Sequence, residues 1–288
     1  MSPGRALAAA LVLSAILPMA EGQPRRIVST TPSVTEILYA LGLGDRVVGV
    51  TNYCHYPPEV VKKPKIGSYT SPNLEAIAAL RPDLVIIQSN PIQLQNKLTA
   101  LRLRSLEINQ DSLPKLMESI QQIAAAAGVA SKGIEVVARI RAGLDGIAAK
   151  LKGAPRTRTM FLIGRSPNAL DGMVAAGGPT FLNELIELAG GDNIFKSAVA
   201  AYPAISLEEV LARSPAVIID MGDMAQTVGV TDAHKREVVR LWSRYPTIEA
   251  VRKGRVFAVA SDIFVVPGPR IVDAVREFAR MLHPEAGL

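Results

Sequence analysis

The chain has 288 residues, 49% of them hydrophobic and 20% charged, with a net charge of +6 at neutral pH. That balance suits a compact protein with one large or two modest cores and excludes a disordered polyelectrolyte. The basic residues are scattered, with no Lys/Arg-rich run beside stacking aromatics, which argues against a nucleic-acid partner.

The N-terminus predicts a signal peptide over residues 1–22. Arg5 precedes an apolar stretch from Ala6 through Leu17, Pro18 interrupts it, and Ala20-Glu21-Gly22 offers the small residues a signal peptidase reads. The stretch is short for a membrane span. Cys54 is the single cysteine, so no internal disulfide is possible, and no cysteine stands at the expected cleavage site to carry a lipid. The expectation is a soluble periplasmic protein.

Strands then alternate with helices. Ile27–Thr31 reads as a strand, Ser33–Leu43 as a helix, Val47–Thr51 as a short strand, and 52–69 as a loop. A helix from Asn73, a strand Leu84–Gln88, a helix near 92–102 and a strand near 105–108 follow. Asp111–Ala127 reads as an amphipathic helix closed by Gly128. Ala130–Lys152 reads as one unusually long helix, with Ile134, Val137, Ile140, Leu144, Ile147 and Leu151 at three- and four-residue steps. The alternation resumes with strand Thr159–Ile163, helix Phe181–Gly190, a helix from Ser206 and strand Val217–Asp220. Helix 237–244, strand 255–259 and helix 271–282 close the chain. The pattern predicts an α/β fold with parallel sheets in two lobes, 23–129 and 154–288, joined by the helix over 130–153.

One phrase occurs twice. Asn73-Leu74-Glu75, then Pro82 and the apolar run Leu84–Ile87, returns as Ser206-Leu207-Glu208, then Pro215 and Val217–Ile219. Asn73 and Ser206 are helix N-caps, Glu75 and Glu208 lie in the first turns, and the prolines end the helices. Local helix stabilisation accounts for a carboxylate in each copy. A matched acidic tip on each lobe further suits a two-fold partner with basic sockets.

Catalytic signatures are missing: no Gly-x-Ser-x-Gly, phosphate-binding loop, HExxH or CxxC occurs. A non-enzymatic role is expected. In open α/β sheets ligands sit beyond the carboxyl ends of the strands, here the loops at 31–33, 52–56, 89–91, 164–168, 222–223 and 261–270. Aromatic residues are only 5% of the chain, and Tyr53, Tyr69 and Tyr202 fall in loops between the elements of the lobes, where their flat faces suit a broad planar ligand. Tyr56 and Trp242 read as packing residues. His234 and His283 read as solvated surface residues. His55 is conceivable as one axial ligand to a metal already held in a macrocycle, although a plain loop histidine explains it as well. Asp262 and Arg270 flank Pro267-Gly268-Pro269, a rigid loop that either presents polar groups to a ligand or holds a salt pair.

The mature chain, roughly 26–282, resembles the periplasmic substrate-binding proteins of ABC importers for cobalamin and ferric chelates. The resemblance rests on Ser29-Thr30-Thr31-Pro32-Ser33-Val34-Thr35-Glu36, Tyr53-Cys54-His55-Tyr56-Pro57-Pro58-Glu59, both copies of the repeat, Gly190-Gly191-Asp192-Asn193-Ile194-Phe195 and Pro267-Gly268-Pro269-Arg270-Ile271. It is strongest toward the cobalamin-binding branch. It implies two Rossmann-like lobes joined by one long helix, a ligand cleft between them, and a monomer carrying no intrinsic cofactor. It implies further that Tyr53, Tyr69 and Tyr202 line the pocket with Asp262 as a polar contact, and that Glu75 and Glu208 dock onto arginines of the permease dimer. The chain departs from the branch where cobalamin binders carry tryptophan, at Tyr69, Gln88 and Tyr202, and at Val266, where arginine is frequent. Haem-binding relatives often ligate iron with a loop tyrosine near the position of Tyr69, and Arg165, Lys196 and Arg270 would then be candidates to meet the propionates. Ferric siderophores are a further alternative, as are, outside the class, a periplasmic α/β enzyme or a sensor of the same fold.

Overall fold

The computed structural model describes residues 23–89, 93–222 and 231–288. The signal-peptide expectation over 1–22, and parts of the loops at 89–91 and 222–223, lie outside them.

The first lobe begins with β1 (Ile27–Ser29), α1 (Pro32–Ala40) and β2 (Val47–Gly49). It continues with α2 (Leu74–Ala79), β3 (Leu84–Gln88), α3 (Leu94–Ala100), β4 (Ser105–Ile108) and α4 (Leu113–Ala126). Its strands form an all-parallel sheet in the order β2-β1-β3-β4, with Ile27 of β1 opposite Val47 and Leu84. The long helix α5 (Ala130–Lys150) follows. At 1.5 Å per residue its 21 residues span about 30 Å, the width of a small domain.

The second lobe runs through β5 (Thr157–Gly164), β6 (Met173–Ala175), α6 (Phe181–Leu188), β7 (Gly191–Asn193), β8 (Ala204–Ile205) and α7 (Leu207–Arg213). It closes with β9 (Val217–Asp220), α8 (Asp232–Trp242), α9 (Glu249–Arg252), β10 (Val256–Ala258) and α10 (Ile271–Leu282). Strand order is β10-β9-β5-β6-β8, with β7 also parallel to β5. The sheet is mixed, because β6 runs antiparallel to both β5 and β8. The sequence reading contains none of β6, β7 and β8: two or three residues are too few to show a period.

Side-chain alternation along the strands divides the core into three. Leu84 and Ile86 of β3, Phe161 of β5, and Val217 and Ile219 of β9 belong to one cluster that runs through α4, α5, α6 and α10. The alternate residues Val85 and Ile87 pack on the outer face of the first lobe, and Met160, Leu162 and Ile218 on that of the second. The two lobes therefore share their largest hydrophobic cluster. Helix α5 packs on α4 of the first lobe and on α6 and α10 of the second, a geometry that resists large lobe rotation.

The buried stripe of α5 is Gly133, Val136, Val137, Ile140, Leu144 and Ile147, whereas Ile134 is 62% exposed. Gly133 shifts the stripe: a Cβ there would lie 2.6 Å from Ala124 Cβ, so the glycine lets α4 approach closely. The repeated phrase repeats in conformation as well. Asn73 Oδ1 accepts from Ala76 N, Ser206 forms a capping box with Glu209, and Arg81 and Ser214 both adopt positive φ just before the terminating prolines. Among the described residues, no helix is long and apolar enough to cross a membrane.

Candidate functional site

The carboxyl ends of the strands in both lobes open onto a cleft of about 810 Å³. Its floor is built from two capped helix starts. Thr31 caps α1 by accepting from Val34 N at 3.3 Å, and Thr180 caps α6 by accepting from Asn183 N at 3.1 Å. Ser33 Oγ donates to Gln110 Oε1 at 2.7 Å, and Gln110 Nε2 reaches across to Pro267 O at 3.1 Å. A second polar link joins the lobes where Leu113 N, at the start of α4, donates to Glu184 Oε2 at 2.7 Å.

Tyr53 and Tyr69 of the first lobe and Tyr202 of the second all stand on the cleft wall, together with Phe181. Tyr53 is 59% and Tyr202 50% exposed, so their faces are open to a ligand. Asp111 is the one charged residue among the described lining residues. The phenols of Tyr69 and Tyr202 are both raised above their ordinary value, first by burial and then by the negative charge of Asp111. Both therefore stay neutral hydrogen-bonding groups across the physiological range.

The other residues singled out in the sequence stand elsewhere. His55 is exposed and not among the cleft-lining residues, while its neighbour Cys54 is buried against the hydroxyls of Thr35 and Thr51. Arg270 and Asp262 sit behind the cleft wall and bind each other at 3.0 Å. Arg270 Nε also donates to Glu36 Oε2 at 3.0 Å, and its second terminal nitrogen bonds the other oxygen of the same carboxylate. The Arg270 guanidinium lies 4.0 Å above the Tyr56 ring, so Tyr56 packs against this cation. Burial, offset in part by Arg270, raises the Glu36 carboxyl above its ordinary value. Gly268 belongs to this arrangement, since a Cβ there would meet Glu36 Oε2 at 2.9 Å. This bridge is the third polar link between the lobes.

Arg165 is buried against Asp220, which also accepts from Trp242 Nε1 at 2.8 Å, and Lys196 pairs with Asp192. Neither cation lines the cleft. His283 is 2% exposed beside Gly190, which corrects the expectation of a solvated histidine: the last turn of α10 lays it against the α6–β7 turn. His234 is half-buried in the first turn of α8.

Glu75 and Glu208 are exposed at the starts of α2 and α7, and neither has an ion pair among the described residues. Glu209, not Glu208, closes the capping box, which leaves Glu208 directed to solvent chemistry. Asp111, Gln110 and Phe181 also line the cleft, and no motif in the sequence marks them for it. The apolar period begins the helix at Asp111, whereas Ser112 is the cap and Asp111 stands outside the helix, on the cleft.

Comparison with known proteins gives a consistent result. The family model described as periplasmic binding protein matches residues 27–263. The vitamin B12-binding protein of Vibrio parahaemolyticus is 28% identical over 264 residues, covering 91% of this chain and 90% of that protein. The uncharacterized ABC transporter substrate-binding lipoprotein YvrC of Bacillus subtilis is 29% identical, covering 91% of this chain and 81% of its own. The crystal structure of the periplasmic vitamin B12 binding protein BtuF of Vibrio cholerae superposes with a TM-score of 0.75 at 27% identity, over 92% of this chain and 98% of that one. The apo periplasmic haem-binding protein RhuT of Roseiflexus sp. RS-1 superposes with a TM-score of 0.73 at 25% identity, over 89% and 98%. With its two lobes, its spanning helix and this match over most of its length, the chain belongs to the periplasmic binding protein family.

Proposed function

We propose that this protein captures cobalamin or a related corrinoid in the cleft and delivers it to the permease of an ABC importer. The observation that carries the reading is the character of the cleft. Ligand pockets run from about 300 to about 1,000 Å³, and at about 810 Å³ this one suits a large ligand. Its walls offer tyrosine faces, and its floor offers Thr31, Ser33, Gln88 and Gln110, groups that match a corrin ring fringed with amides. The vitamin B12-binding relatives support the same reading.

Haem is the rival ligand, supported by the likeness to a haem-binding protein. Its two propionates call for cations, and no lysine, arginine or histidine is among the described lining residues. The metal travels inside the chelate as cargo, and binding makes and breaks no covalent bond of the ligand.

The apolar segment at 6–17 would direct export and be removed, and a monomer would work outside the cytoplasmic membrane. Glu75 and Glu208, one exposed on each lobe, would engage basic sockets on the two halves of a permease dimer. Equilibrium dialysis of residues 23–288 against cyanocobalamin tests the ligand. The reading requires saturable one-to-one binding that is lost when Tyr69 and Tyr202 are both alanine. Binding unaffected by that change would place the ligand elsewhere, and no binding would remove the corrinoid from consideration.

A further inference from the structure

We infer that Asp111 biases ligand charge in this cleft, disfavouring chelates that carry carboxylates relative to uncharged or cationic ones. The inference rests on the cleft being a chelate-binding site and sharpens which chelates it accepts.

Asp111 lies between β4 and α4, the one charged group among the described lining residues, in a cleft with tyrosines of both lobes on its walls. Its backbone is held in place because Asp111 N donates to Asn109 Oδ1 at 2.9 Å. The charge reaches both walls: it raises the phenol of Tyr69 on one lobe and that of Tyr202 on the other. Lys115 lies 3.8 Å from the Asp111 carboxylate, but the two side chains are 51% and 69% exposed, a geometry in which ion pairs are weak. Lys115 is also not part of the cleft lining. The cations that could reverse the sign are held elsewhere, Arg165 by Asp220, Lys196 by Asp192, and Arg270 by Glu36 and Asp262. A concave site whose described lining carries a single sign of charge focuses that field onto whatever enters it.

Repulsion of a bound carboxylate several ångströms away in a partly hydrated cleft weakens binding on the order of tenfold. The test compares the wild-type protein with Asp111→Asn and Asp111→Glu, using cyanocobalamin, which has no net charge, and haemin, which carries two propionates. Asp111→Asn should strengthen haemin binding on the order of tenfold, an effect that fades with added salt. Cyanocobalamin, which presents no net charge to the site, should shift by less than haemin does. Asp111→Glu should keep the wild-type ratio. A readout independent of any ligand is the alkaline absorbance titration of the tyrosines, which should begin at lower pH in Asp111→Asn. Haemin affinity that does not rise in Asp111→Asn, including haemin that binds neither protein, overturns the inference, as does an equal shift for both ligands. Failure of cyanocobalamin to bind the wild type defeats the corrinoid reading alone, because the haemin comparison still decides the role of Asp111.

Discussion

Replacing Arg270 with methionine isolates the bridge that ties the lobes together behind the cleft. The Arg270 side chain is 17% exposed and that of Glu36 3%, so methionine fills similar space but leaves a carboxylate buried without its partner. Breaking a buried pair from one side costs about 3–5 kcal/mol, and the partial exposure of Arg270 places this case near the low end. Loss of the contact with the Tyr56 ring adds about 0.5–1 kcal/mol. Together these correspond to a fall in Tm of roughly 6–16 °C at pH 7.5 for a chain of this size. The loss should depend on pH with a definite sign. The folded state already raises the Glu36 carboxyl above its ordinary value of 4.5, so it holds that proton more tightly than the unfolded chain does. Stability from the proton is fully present below about pH 4.5 and is lost as pH rises through the folded value. Removing Arg270 removes the hydrogen bond and charge that lower this carboxyl and leaves burial and Asp262, which raise it, so the folded value climbs further. The penalty should therefore be largest near pH 7.5 and shrink toward pH 4.5. The double variant Glu36→Gln/Arg270→Met, which buries no unpaired charge at that position, should recover much of the loss. Urea unfolding at both pH values reads all of this. An equal penalty at the two pH values, or no recovery in the double variant, would refute the reasoning.

Tyr69→Ala and Tyr202→Ala should each weaken cyanocobalamin binding on the order of tenfold, from lost stacking of about 0.5–1.5 kcal/mol plus lost contact area, as read by equilibrium dialysis. His55→Ala should leave that affinity and the absorbance spectrum of the bound corrinoid unchanged, because its side chain does not line the cleft; a shifted spectrum would make it an axial ligand. Glu75→Ala/Glu208→Ala should preserve the affinity and the Tm within a few degrees, since each glutamate adds only about 0.3–1 kcal/mol to its helix start. The same pair should abolish corrinoid uptake in cells carrying the cognate permease, and uptake at the wild-type rate would exclude these residues as the docking points.

Much of the fold is legible in the sequence because it is built from local signals. Asn73 and Ser206 mark their helices by caps, Pro82 and Pro215 mark where those helices stop, and the apolar steps of 130–151 mark the spanning helix. The cleft tyrosines are legible as scarce aromatics in loops between elements: Tyr53 and Tyr69 in the loop after β2, and Tyr202 just before the helix that starts at Ser206. What is hidden depends on partners distant in the chain. Arg270 and Asp262 read equally as ligand contacts or as a salt pair until Glu36, 234 residues away from Arg270, is seen bonded to the same guanidinium. His283 reads as solvated until the α6–β7 turn is seen against it. Ile134 fits the apolar period, yet Gly133 rotates the buried stripe away from it to admit α4. Asp111 is the most instructive case. The apolar period starts the helix at Asp111, and only the observation that Ser112 caps α4 puts the carboxylate outside the helix and on the cleft.

The most direct test of the central claim is a crystal structure of the protein grown with cyanocobalamin. The account predicts one corrinoid held between the lobes, in contact with the Tyr69 and Tyr202 rings, with its amides meeting Ser33, Gln88 or Gln110 and the Glu36–Arg270 bridge intact. A corrinoid bound outside this cleft, or an empty cleft in crystals saturated with the ligand, would contradict it.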